Sequence, residues 1–258
     1  MSLVHKIGTA IDVTREGGIN GLYSKIGDVA ARIANRKREQ KWIAANGPLN
    51  AAARKAIESK IAKMPRLPLI SIIMPVYNVD EVWLRKCIDS VLGQVYQNWE
   101  LCIADDHSPK PHIRTVLDEY SLLDQRVKVV YRDANGHISA ASNSALAIAS
   151  GEFCVLLDHD DELAADALYW VADEICRHPE AAMIYSDEDM IDDKGRRFDL
   201  KFKPDFSYDL LLSLNLVTHL SAYSTEVLRK IGGFRLGLEG SQDYDLALRV
   251  IEQIGTAR

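Results

Sequence analysis

The sequence predicts an α/β domain with a mostly parallel central sheet flanked by helices, preceded by a helical extension. Three observations predict it. Short β-branched runs alternate with amphipathic segments from Ile70 to His178. A chain of 258 residues, 47% hydrophobic and 26% charged, can bury one large core without disulfides. No apolar run approaches the roughly 20 residues that a membrane span needs.

The elements follow in chain order. Residues 1–65 read as helical. Leu22, Ile26, Val29 and Ile33 recur at helical spacing, with Arg32, Arg36, Lys37, Arg38 and Lys41 on other positions. Gly47-Pro48 breaks the pattern, a second helix covers about residues 50–63, and MPRLPL reads as a linker into a domain at 66–258. Strand then alternates with helix. ISIIMPVY is a buried strand, followed by the helix EVWLRKCIDSVLGQ. WELCIAD and VKVVYRD are strands separated by the helix HIRTVLDEYSLL. SAASNSALAIAS is a helix closed by Gly151 as C-cap. EFCVLLD is the fourth strand, and ELAADALYWVADEICRH is a helix that Asp161 can cap. After Pro179 the alternation fades. AAMIYSDED is a strand and loop, DDKG a hairpin turn, and HLSAYS a strand. STEVLRKIGGF is a short helix ended by Gly232-Gly233. SQDYDLALRVIEQIG is a last helix with Ser241 at its N-cap.

Charge and cysteine usage narrow the function classes. Residues 1–65 hold twelve Lys/Arg against five Asp/Glu, a net +7, which leaves −13 for residues 66–258 out of the overall −6. An acidic main body argues against nucleic acid as the principal partner. The basic extension suits packing on the domain, joining another module, or lying on an anionic membrane surface. Cys87, Cys102, Cys154 and Cys176 form no C-x-x-C pair, so they read as a reduced set in a cytoplasmic protein with no zinc site. The opening MSLVHKIGTAIDV lacks the apolar region of a signal peptide.

In open parallel sheets ligands bind beyond the carboxyl ends of the strands. Three such ends here are PVYN, ADDHS and LDHDD. Asp158 and Asp160, two apart on an extended chain, point the same way and can share one divalent cation. Oxygen ligands suit Mg²⁺ or Mn²⁺. A solvated turn is the alternative. Asp105, Asp106 and Ser108 also suit a turn that bonds its own backbone. His219 reads either as a satisfied structural histidine or as a group approaching a metal or diphosphate. The SDED cluster at 186–189 is either a loop near an acceptor or a solvated hairpin end. Lys201 and Lys203 are weaker candidates for phosphate contacts.

Taken in order, SIIMPVYN, SVLGQVYQNWELCIADDHS, ASNSALAIASGEFCVLLDHDDEL, and GGF with GSQDYDLALR resemble the family 2 glycosyltransferases with the GT-A nucleotide-sugar-binding fold. The resemblance spans about residues 70–252. RLPLISIIMPVYN with IYSDEDMID and FKPDFS is similar to catalytic modules of bacterial surface-polysaccharide enzymes, which are often parts of longer chains. It implies nucleotide contacts at Pro75 and Tyr77, base reading by Asp106, and a D-x-D-type site at Asp158 and Asp160. Asp160 would be the direct ligand of Mn²⁺ or Mg²⁺, and Asp158 would face both metal and nucleotide. It implies Asp243 as general base, with Gln242 and His219 as candidates for acceptor or diphosphate contacts. Family members commonly carry Glu where Gln242 stands, and an amide cannot act as a base.

The function so implied is inverting, metal-dependent transfer of a sugar from a nucleotide-sugar donor, UDP-linked, to a glycan or lipid-linked acceptor. The implied place is the cytoplasm, or the inner face of the cell membrane. Two rivals stand beside it. A nucleotidyltransferase would carry a Gly-rich loop after the first strand, and PVYNVDEVW has no glycine. A non-catalytic sugar-binding module of a larger synthase would have little need of Asp158, Asp160 and Asp243 together.

Overall fold

The computed structural model describes residues 36–47 and 49–255. The helical repeat expected over residues 22–33 lies outside them. The described residues form two compact units, 49–188 with 202–255, and 36–47 with 189–201.

The larger unit holds α1 (Ala51–Ile61), β1 (Ile70–Val76), α2 (Glu81–Leu92), β2 (Trp99–Asp105), α3 (Pro111–Leu123), β3 (Val127–Tyr131), α4 (His137–Ile148), β4 (Phe153–Leu156), α5 (Ala167–Arg177), β5 (Met183–Tyr185), α6 (Tyr208–Ser213), β8 (Ser221–Ser224), α7 (Thr225–Lys230) and α8 (Gln242–Ile254). Between β5 and α6 come β6 (Glu188–Ile191) and β7 (Arg197–Lys201). The six-stranded sheet has the order β3-β2-β1-β4-β8-β5. β1 pairs in parallel with β2 and with β4, and β2 with β3; β8 runs antiparallel to both β4 and β5. Strand order reverses between β1 and β4, which opens a crevice at their carboxyl ends.

Two apolar layers sandwich the sheet. On β1, Ile70, Ile72, Met74 and Val76 join Leu84, Ile88, Val116, Leu117, Leu168 and Val171 of α2, α3 and α5 on one face. Ile73 points the other way and joins Ala141 and Ala145 of α4, Leu211 of α6, and Leu246 and Val250 of α8. This is the period-two alternation of a strand buried on both sides. In α1, Asn50 caps by accepting the Ala53 N–H at 2.9 Å, and Ile57 is buried in the first layer.

Two local readings need correction, and a third holds in part. Gly151 is not a helix C-cap; α4 ends at Ile148 with Ala149 at the cap. Its missing side chain serves a close approach instead, since a Cβ there would lie 2.6 Å from Leu69 O and 2.7 Å from Ser71 N. The helix after β4 starts at Ala167 rather than Glu162, so Asp161 caps nothing. Ser241 does stand at the N-cap of α8, but its side chain makes no capping bond. Its carbonyl accepts the Asp245 N–H at 3.0 Å.

In the smaller unit residues 36–45 are helical, and β6 and β7 form a two-stranded sheet. The DDKG turn closes it as expected, with Gly195 N–H donating to Asp192 O at 2.8 Å. Among the described residues no helix is long and apolar enough to cross a membrane.

Candidate active site

The crevice between β1 and β4 is where the acidic residues gather. β4 stops at Leu156, and the chain then turns, with Asp161 N–H donating to Asp158 O at 3.2 Å. The premise of an extended 158–160 stretch therefore fails. A turn brings residues i and i+3 together, so Asp158 meets Asp161, while Asp160 is exposed. His159 Nδ1 lies 3.0 Å from Pro75 O. A carbonyl only accepts, so this nitrogen carries the proton and ties the turn to the end of β1.

His219 completes the cluster. Its Nε2 is 3.7 Å from Asp158 Oδ2 and its Nδ1 3.7 Å from Asp161 Oδ2. Ligand atoms of Asp158, Asp161 and His219 all lie within 4.8 Å of one another. The ring is half-exposed and faces two acids. Burial pushes the carboxyls of Asp158 and Asp161 above their ordinary value; His219 works against this, and neighbouring carboxylates add to it. Two carboxylates and an imidazole within that span fit a hard divalent cation such as Mn²⁺ or Mg²⁺.

A cavity of ≈ 70 Å³ reaches from this cluster to α8, lined by Pro75, Asp158, Thr218, His219, Gln242 and Asp243 among others. Asp243 sits in the first turn of α8 and accepts from Asn215 Nδ2 at 2.7 Å. Gln242 Oε1 accepts the Gly240 N–H at 2.6 Å. Asp245 faces elsewhere, as its spacing requires, and pairs with Arg249 at 2.8 Å. Arg249 in turn donates to Ile231 O at 3.1 Å and to Gly233 O at 2.6 Å. Those bonds fix the start of α8 against the Gly232-Gly233 turn, where Asn143 also brackets Phe234 with two bonds of 2.8 Å.

The remaining sequence candidates lie along the same edge. Tyr77 follows β1 and is 46% exposed. Asp105 and Ser108 form the expected turn, Ser108 N–H to Asp105 Oδ1 at 3.2 Å. Asp106 is buried; its carboxylate accepts from Arg132 Nε at 2.8 Å and from the Gly136 N–H at 3.0 Å. It therefore braces the loop before α4 against the end of β2. Lys203, a candidate for phosphate contact, is engaged within the protein. Its ammonium, 8% exposed, lies 3.3 Å from Glu188 and donates to Val217 O at 2.8 Å. Sequence reasoning passed over Asn215 and Arg249, and it named the SDED cluster and Lys203 without pairing Glu188 with Lys203. Their partners are far off in the chain, so their roles become visible only with the fold.

A profile described as Glycosyl transferase family 2 matches residues 71–232, and the chain belongs to that family. Over 205 residues it is 48% identical to protein y4gI of Sinorhizobium fredii, covering 78% of this chain and 23% of that one. Over 211 residues it is 38% identical to the O-antigen biosynthesis protein RfbC of Myxococcus xanthus, covering 82% and 16%. Over 200 residues it is 30% identical to the chondroitin synthase of Escherichia coli, covering 77% and 29%. The chain thus spans less than a third of the length of these relatives. Among solved structures, S. aureus TarS 1–349 in complex with UDP-GlcNAc superposes with a TM-score of 0.59 at 21% identity, over 70% of this chain and 52% of that one. The mannosyltransferase PcManGT of Pyrobaculum calidifontis, in complex with GDP-Man and Mn²⁺, gives 0.53 at 20% identity, over 78% and 61%. The fold is of the GT-A type that the resemblance implied.

Proposed function

We propose that the chain is the catalytic module of an inverting, metal-dependent glycosyltransferase of surface-polysaccharide synthesis. It takes a sugar from a nucleotide-sugar donor, UDP-linked, and passes it to a glycan or lipid-linked acceptor. One observation carries this reading: a single cavity at the sheet's switch point has an acid–imidazole cluster on one wall and Asp243 on another. The RfbC and chondroitin synthase likenesses support the pathway class, and the TarS complex with UDP-GlcNAc supports the donor class.

Asp158, Asp161 and His219 would hold the cation, with Asp160 at the solvent side of the same turn. Bound there, Mn²⁺ or Mg²⁺ supplies charge stabilisation to a diphosphate leaving group. Pro75, Tyr77 and the loop braced by Asp106 form the nucleotide end. Asp243 takes the proton of the attacking hydroxyl, and Asn215 holds its carboxylate in place. Gln242 orients the acceptor through its amide. One base with direct displacement inverts the anomeric centre. The module begins near residue 66. The basic residues before it suit packing on the domain first, and joining another module or contacting an anionic membrane surface second.

The test is calorimetric titration of UDP with and without Mn²⁺, followed by a transfer assay on wild type and Asp243→Asn. We expect Mn²⁺-dependent UDP binding, unchanged in the variant, with transfer reduced about 10²–10⁴-fold. Equal loss of binding and transfer would remove the base role from Asp243. UDP binding with no transfer by wild type would favour the non-catalytic module.

A further inference from the structure

We propose that Glu188 and Lys203 are positioning residues for His219, and that through it they set the affinity of the Asp158/Asp161/His219 cluster for a divalent cation. This rests on the metal reading given above. Neither residue lines the active-site cavity. Both are nearly buried, with side chains 15% and 8% exposed. Two charges withdrawn from water are tolerated only when their remaining hydrogen-bonding capacity is met. Here one short stretch of backbone meets it. Lys203 Nζ donates to Val217 O at 2.8 Å and also to His219 O. Glu188 Oε2 accepts from Thr218 Oγ1 at 2.8 Å and from the His219 N–H at 3.0 Å.

The pair therefore grips His219 by both of its backbone groups, the N–H through the acid and the C=O through the base. It also fixes the residue before it. Thr218 is β-branched and has φ 36°, a left-handed conformation that such residues seldom adopt. Conformations of this kind persist where surrounding bonds over-determine them. With the backbone of residues 217–219 held, the imidazole springs from a fixed point, and its two nitrogens each lie 3.7 Å from a carboxylate. Groups that orient a metal-binding histidine from behind commonly change metal affinity about 10–100-fold when removed. The chemistry here is an ion pair acting on the main chain rather than a bond to the ring.

The test is manganese binding to the intact chain, read as free Mn²⁺ by electron paramagnetic resonance. Wild type, Glu188→Gln, Lys203→Met and the double variant are each measured with His219 present and with His219→Ala. The double variant leaves no lone buried charge, so it guards against simple unfolding; thermal melts establish that each protein is folded. With His219 present, Glu188→Gln and the double variant should weaken Mn²⁺ binding about 10-fold or more. In the His219→Ala background the same changes should have no further effect. Folded variants that bind Mn²⁺ as wild type does, or that weaken it equally in both backgrounds, overturn the proposal while leaving the metal site standing. Wild type that takes up no Mn²⁺ overturns the metal reading itself, and the role of the pair with it.

Discussion

The two edges of the central sheet keep their carboxylates in opposite circumstances. At the amino edge Glu100 of β2 is buried and fully engaged. It accepts from Ser71 Oγ at 2.6 Å and Ser150 Oγ at 2.8 Å, from the Ser150 N–H, and from Lys128 Nζ at 2.5 Å. At the carboxyl edge Asp158 and Asp161 stand 43% and 47% exposed, with the His219 ring between them, and Asp243 has Asn215. Burial raises the Glu100 carboxyl, but its bonds from Lys128, Ser71 and Ser150 outweigh that and bring it down to about 2 from an ordinary 4.5. Asp158 and Asp161 shift upward instead. One edge spends its acid on joining β1, β2, β3 and the entry to β4. The other leaves its acids short of donors, and a ligand can meet that shortage.

Removing Glu100 should do the greatest damage to the fold. Glu100→Ala strips the amino edge of its common acceptor and should cost about 3 kcal/mol, read from urea unfolding at neutral pH. A cost under about 1 kcal/mol would mean the network adds little. The acid limb sharpens the contrast. Because the folded pKa of Glu100 is depressed, its contribution is complete above the unfolded value near 4.5 and is lost as pH falls toward about 2. Glu100→Gln should flatten the decline in unfolding midpoint over that window; an unchanged slope would assign the decline to other groups. The smallest effect belongs to the opposite edge. Asp161→Asn, without metal, should stabilise by about 0.5 kcal/mol, since it removes a like charge beside Asp158. Mn²⁺ should then raise the melting temperature of wild type and not of the variant. A destabilised, metal-free Asp161→Asn would mean that the two edges differ less than their geometry indicates.

Most of the architecture was legible because it rests on local pattern. β-branched runs gave the parallel strands, and Gly232 and Gly233, at φ +79° and +68°, ended α7 where expected. Strand order was not legible. β8 inserts between β4 and β5 by pairings that join Leu156 to Ser221 and Tyr185 to Ser221, far apart in the chain. The site divides the same way. Asp158, Asp243 and Pro75 are named by motif and position. The partnership of Asp158 with Asp161 depends on a turn rather than an extended chain, and spacing alone does not distinguish the two. Asn215, Glu188 and Lys203 lie in the stretch after Pro179 where periodicity fades. Their partners are 28, 31 and 14 residues away. Gly151 misled because a helix terminus and a close backbone crossing both demand a residue without a Cβ.

The reversed direction of β8 has one more consequence. Parallel strands deliver to this edge whatever follows them, whereas an antiparallel strand delivers whatever precedes it. Ser221, the first residue of β8, stands level with Leu156, the last of β4, so residues 215–220 arrive where residues 157–161 depart. The acid–imidazole cluster is thereby assembled from two stretches of chain that meet only in space. The segment at 186–220 runs between β5 and β8, which are neighbours in the sheet. Changes within that segment would therefore act on His219 itself and on Asn215, the partner of Asp243, while leaving the crevice after β1 and β4 as it is.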